Sequence, residues 1–136
     1  MVSTLEVLAV DNCFLSGTIP TEVGQLTALR ILKLGTNAPL TGPIPTELGL
    51  STNLEVLDLS MNQLSGAVPV ELGNIQTLRE ALLGPNKLVG SVPAEICSIS
   101  SDANLKLDVL VVDCYGPEAL IACDVPSCCS SCSNAP

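Results

Sequence analysis

The side chains able to do chemistry are seven cysteines and fourteen acids, in a chain of 136 residues that holds no histidine. Without histidine there are no Ser-His or Cys-His nucleophile pairs and none of the common zinc sites that use histidine. Neither a GxxxxGKS/T nor a GxGxxG stretch occurs to cradle a phosphate. What remains for catalysis is a carboxylate pair, and Asp11 and Asp113 fall at equivalent places in a repeated pattern. Three copies of that pattern, with Gly35, Ser60 and Gly84 at the same place, lie between them. Paired-carboxylate chemistry needs the groups within about 10 Å. Both acids are therefore expected to be solvated strand ends, and no catalytic residue and no cofactor is expected.

Six of the seven cysteines, Cys97, Cys114, Cys123, Cys128, Cys129 and Cys132, crowd the last third of the chain. The Cys128-Cys129-x-x-Cys132 cluster offers thiolates to zinc or a soft metal, but the two CxxC pairs of a zinc site are missing. An even set of six in so short a chain points instead to structural disulfides made in an oxidising compartment, with the pairing open. Cys13 stands apart, and with no cation near it in sequence it is expected to be an inert buried thiol.

The net charge is -9, with Arg30, Lys33, Arg79, Lys87 and Lys106 as the only cations. Such a chain offers no basic patch to a phosphate backbone and is repelled by an anionic membrane surface, so no nucleic acid partner is expected. No apolar run approaches the roughly 20 residues of a membrane-spanning helix, so no membrane insertion by this segment is expected either. The opening MVSTLEVLAV has no basic n-region, long apolar stretch or small-residue cleavage site, and does not read as a secretory signal.

These residues are positioned by a repeat. Copies start at Leu5, Leu29, Leu54 and Leu78, spaced 24, 25 and 24 residues apart. The cleanest, LEVLDLSMNQLSGAVPVELGNIQT from Leu54, reads LxxLxLxxNxLSGxxPxxLGxIxx. Amphipathic helices are excluded because Gly17-Thr18-Ile19-Pro20, Gly42-Pro43-Ile44-Pro45, Gly66-Ala67-Val68-Pro69 and Gly90-Ser91-Val92-Pro93 would break a helix in every copy. Leu at the first, fourth and sixth places with Asn or Cys at the ninth is the leucine-rich-repeat signature, one short strand per turn stacking into a parallel sheet. Leu54, Leu57 and Leu59 then stack on Leu29, Leu32 and Leu34 and on Leu78, Ala81 and Leu83. Asn37, Asn62 and Asn86 sit where an inward amide can bond the backbone of neighbouring turns.

The endings LSGTIP, LTGPIP, LSGAVP and LVGSVP resemble the plant-specific class of leucine-rich repeats, over residues 5 to 99. Members are mostly ectodomains of receptor kinases and receptor-like proteins, inhibitors of cell-wall-degrading enzymes and, rarely, ice-binding proteins. The resemblance implies an α/β solenoid: a right-handed superhelix with a parallel concave sheet, short second strands at Gly-x-Ile/Val-Pro and a 3-10 or irregular convex side. After Ile99 the period lapses, and LDVLVVDC offers a fifth and last strand with Leu107, Leu110 and Val112 inward. The CC-x-x-C ending resembles disulfide-rich caps of algal, particularly diatom, leucine-rich-repeat proteins. The chain divides accordingly into repeats at 1–104 and a last strand with cysteine-rich cap at 105–136. The front end lacks the paired-cysteine module usual in the plant class. The chain therefore reads as the C-terminal portion of a longer solenoid, with further repeats or subunits against Leu5, Leu8 and Val10.

A solenoid usually binds on its concave face. Across the strands the second repeat position reads Glu6, Arg30, Glu55, Arg79, Asp108, an alternation expected to support register between neighbours. The third position reads Val7, Ile31, Val56, Glu80, Val109 and the fifth Ala9, Lys33, Asp58, Leu82, Val111. These ten residues are the candidate ligand-binding set, because an aliphatic stripe facing solvent is a candidate contact surface. The function expected is non-catalytic, extracellular recognition of a protein or peptide. The alternatives are a structural cell-surface or matrix role, ice binding included, and inhibition of an extracellular hydrolase. A ladder of threonines would mark ice binding, and Thr18, Pro43, Ala67 and Ser91 do not form one.

Overall fold

Each LxxLxL segment forms one short strand because its leucines alternate with residues that face the other way, and because a turn follows at once. In the computed structural model, residues 4–99 and 107–112 are described, with the backbone of 121–122 and 131–132. The repeat strands are β1 (Val7–Ala9), β3 (Ile31–Lys33), β5 (Val56–Asp58), β7 (Glu80–Leu82) and β9 (Val109–Val112). Between them lie β2 (Gly17–Thr18), β4 (Leu40–Gly42), β6 (Gln63–Ala67) and β8 (Lys87–Ser91). Two later strands, β10 (Ile121–Ala122) and β11 (Ser131–Cys132), complete the described set.

These strands make two parallel sheets, one ordered β1-β3-β5-β7-β9-β11 and the other β10-β8-β6-β4-β2. The chain is thus an α/β solenoid that passes from one sheet to the other in every repeat. The register is the one the repeats dictate: Leu8, Leu32, Leu57, Ala81 and Leu110 stand opposite one another. From Leu32 onward this row is buried, as are Leu29, Leu54 and Leu78 before it and Leu34, Leu59 and Leu83 after it. Leu107, Leu110 and Val112 are likewise buried inward.

On the return side of the coil, Pro20, Pro45 and Pro69 lead into 3-10 turns at Thr21–Gln25, Thr46–Leu50 and Val70–Asn74. Proline suits that place because its fixed φ starts the turn and its carbonyl accepts the bond that closes it; Leu48 N–H donates to Pro45 O at 3.2 Å. In the fourth repeat the turn is a short α-helix, α1 (Ala94–Ser98). The turns stack so tightly that a Cβ on Gly49 would lie 2.5 Å from Glu71 O, which explains this glycine and its counterparts Gly24 and Gly73. At Gly66, in the second strand, φ is 81°, a region that side chains rarely adopt.

Between the sheets runs the asparagine ladder. Asn37 Nδ2 donates to Val10 O and, at 3.0 Å, to Leu34 O, while its Oδ1 accepts from the N–H groups of Cys13 and Leu15 at 2.9 and 3.1 Å. Asn86 repeats this, with its Oδ1 accepting from Leu64 N–H at 2.9 Å. Asn62 donates to Leu34, Leu59 and Ser60 carbonyls, but its buried Oδ1 has no partner. The cause is the extra residue of the 25-residue second repeat, Ala38-Pro39 standing where the others have one. Leu40 N–H, the equivalent of Leu15 and Leu64 N–H, is turned back onto Asn37 O at 2.7 Å, and Pro39 has no N–H to offer.

Two expectations are corrected. Cys13 is exposed, not buried: the repeat alignment assigns it the burial of its counterparts, yet among the described residues repeat one is packed by a turn on one side alone. Nor is β9 the last strand. Ser131–Cys132 pairs with it opposite Val111–Val112, and Ile121–Ala122 pairs with β8 opposite Gly90–Ser91, so both sheets continue beyond the leucine pattern. Cys97 is disulfide-bonded. The side chains of Cys114, Cys123, Cys128, Cys129 and Cys132 lie outside the described residues.

Candidate functional site

The strand register brings the candidate residues together as two straight rows on the outward face of the β1-to-β11 sheet. Val7, Ile31, Val56, Glu80 and Val109 stand in line, and beside them Ala9, Lys33, Asp58, Leu82 and Val111. Val7 is 51% exposed and the members from Ile31 onward are half-buried. Half-burial follows from geometry: strands about 4.8 Å apart leave each outward side chain wedged between its neighbours.

The flanking charge row splits into two pieces. Arg30 bridges Glu6 at 3.8 Å and Glu55 at 2.9 Å, and Arg79 bridges Asp108 at 3.6 Å. Between Glu55 and Arg79 the alternation is kept without a close ion pair among the described residues. The Arg30 guanidinium, hydrogen-bonded to Glu55, holds that carboxyl below the usual glutamate value against a smaller opposing effect of desolvation, and Glu55 in turn raises Arg30. The row therefore ties neighbouring repeats together.

Within the two rows the charges are few. Asp58 Oδ1 accepts from the Ser60 N–H at 3.0 Å and hydroxyl at 2.6 Å, and Lys33 stands beside it on the adjacent strand. Glu80 is different: its carboxylate has no ion pair or hydrogen bond among the described residues, and its register neighbours are Val56 and Val109. In β7 the apolar and polar positions are exchanged, Glu80 standing in the valine row and Leu82 in the row of Lys33 and Asp58. The exchange is legible in the sequence as LREALL against LEVLDL.

Asp11 makes a structural contact, its Oδ1 accepting from Gly35 N–H at 3.0 Å. Among the described residues no cluster of three or more His, Cys, Asp or Glu is placed to hold a metal ion. No helix among them is long and apolar enough to cross a membrane. Two features escaped the sequence reading. Phe14 is 83% exposed beside Cys13, and Leu50 is exposed while the next residue, Ser51, is buried with an unpartnered hydroxyl. The second was detectable, since Leu50-Ser51 stands where the other repeats have Gln25-Leu26 and Asn74-Ile75.

Two parallel sheets joined once per leucine-patterned repeat define a leucine-rich-repeat solenoid, and the family model described as Leucine Rich Repeat matches residues 4–26 and 53–75. Among solved structures the chain is similar to the plant peptide hormone receptor RGFR1, in complex with RGF2, with a TM-score of 0.70 and 35% identity over 81% of this chain and 16% of that one. It is similar to the BIR2 ectodomain from Arabidopsis thaliana with a TM-score of 0.70 and 29% identity over 96% of this chain and 62% of that one. A plant ice-binding protein gives a TM-score of 0.64 and 36% identity over 69% of this chain and 30% of that one. No curated protein matches. The chain is a leucine-rich-repeat protein of the plant type, and it spans less than two thirds of the length of each of these structures.

Proposed function

We propose that this chain is a non-catalytic recognition segment of an extracellular leucine-rich-repeat protein, and that it contacts a protein or peptide through the outward face of the β1-to-β11 sheet. The observation that carries the reading is the pair of mostly aliphatic rows held in constant register across five strands, from Val7 and Ala9 to Val109 and Val111. A soluble protein that exposes an ordered apolar stripe generally uses it. The similarity to receptor ectodomains, one of them in complex with a peptide hormone, supports both the partner class and an extracellular or cell-surface location. Residues 1–104 act as the repeats that build most of this face, and 105–136 as the unit that adds its last described rung, Val109 and Val111, and closes the repeats.

Ice binding needs a flat ladder of like residues. Thr18 does stand opposite Thr41, but Thr41 stands opposite Gln63, and the ladder ends there. The contact reading is tested by panning displayed random peptides against the chain and against Ile31→Asp, Val56→Asp and Val89→Asp. The first two variants place a charge on the proposed face and should abolish enrichment. Val89→Asp lies in β8, on the other sheet, and should not. Loss with Val89→Asp alone would assign binding to the wrong sheet.

A further inference from the structure

Resting on that reading of the face, we infer that Glu80 selects the partner: it receives one Lys or Arg side chain of an extended peptide whose aliphatic residues cover Val56, Leu82 and Val109. The argument is one of charge complementarity. Arg30 and Arg79 are taken up in ion pairs with Glu6, Glu55 and Asp108. Lys33 and Asp58 adjoin across β3 and β5 without a close ion pair, and the Asp58 carboxylate is held by the Ser60 N–H and hydroxyl. Glu80 alone on the face is a half-buried carboxylate with no partner among the described residues, set between valines on both neighbouring strands.

A carboxylate in an apolar setting is poorly compensated by water once a peptide covers it, so a partner without a cation there leaves it desolvated and unpaired. A cationic partner converts that cost into a charge-assisted hydrogen bond. The net charge of -9 acts in the same direction over longer range, drawing cationic segments toward the molecule. The exchange of apolar and polar residues in β7 then has a consequence: Leu82 keeps the apolar contact continuous in the second row where Glu80 interrupts the first.

The test uses the whole chain, with Glu80→Gln and Glu80→Lys, each checked for an unchanged melting curve. Displayed random peptides are selected on all three proteins. The wild-type chain should enrich peptides with a Lys or Arg flanked by aliphatic residues, and Glu80→Gln should bind those peptides about tenfold more weakly. Glu80→Lys should enrich acidic peptides instead. Enriched peptides that lack a cation, or whose affinity is unchanged by Glu80→Gln, overturn this inference while the face remains the contact surface. No enrichment on the wild-type chain, or enrichment indifferent to Val56→Asp, overturns the face itself and the role of Glu80 with it.

Discussion

Repeats one and three follow the same sequence rule and receive different treatment. Leu54, Leu57 and Leu59 are fully buried, each with a coil on either side. Their counterparts Leu5, Leu8 and Val10 are respectively 42% exposed, half-buried and half-buried. Around the latter two lies an open apolar cavity of about 310 Å³, lined also by Leu15, Ile19, Leu34 and Leu40. A leucine in this architecture has no intrinsic burial; it acquires it from the coils that flank it. Beside the packing of Ile19 into the core, repeat one is tied to repeat two by polar contacts, the Asn37 rung and the bond from Gly35 N–H to Asp11.

The strongest way to break the comparison is to truncate the two leucines. Leu57→Ala should cost about 2 to 5 kcal/mol by leaving a cavity in a packed layer. Leu8→Ala should cost about 1 kcal/mol, because water already reaches that layer. Denaturant melts of the two variants decide it, and equal losses would mean that repeat one is as well packed as repeat three.

A second test sharpens the polar half of the contrast. Asn37→Ala removes the donor to Val10 O and the acceptor that together tie repeat one to repeat two, leaving Val10 O and the N–H groups of Cys13 and Leu15 without that partner. The expected loss is about 1 to 3 kcal/mol. Amide exchange should rise across Leu8 to Leu15 while β5 stays protected; uniform protection throughout would show that packing, not the rung, holds the front coil.

The smallest effect concerns Arg30, which reaches both repeats but is closer to repeat three. Glu55 has its folded-state pKa lowered by that guanidinium. Its contribution is complete above the ordinary glutamate value and is lost as pH falls through the lowered one. Glu55→Gln should therefore lower the melting temperature slightly at neutral pH and match the wild-type chain in acid. Glu6→Gln, at the longer contact, should differ at neither pH; a pH-dependent loss there would place the stronger pair at the front.

The repeats were legible in the sequence because Leu, Asn and Gly-x-Ile/Val-Pro recur for local reasons: inward packing, backbone satisfaction and turn closure. The candidate face followed once Leu57 was set inward, since outward positions are fixed by alternation. Ile121–Ala122 and Ser131–Cys132 were not legible as strands, because backbone pairing to an existing edge needs no leucine pattern. The exposure of Cys13 escaped for a related reason: alignment carries residue identity from coil to coil, whereas burial depends on what is stacked beside it. The isolation of Glu80 needed the ion pairs themselves, which take Arg79 to Asp108 and leave the adjacent carboxylate alone.

The extra residue at Ala38-Pro39 bears on how such a molecule lengthens. Each tandem copy of repeat two added to the array would bury one more amide oxygen without a donor, at about 1 to 3 kcal/mol per junction. A copy of repeat three would bury none, since its Leu64 N–H is free to serve the next asparagine, as it now serves Asn86. Growth by duplication therefore favours the 24-residue unit over the 25-residue one.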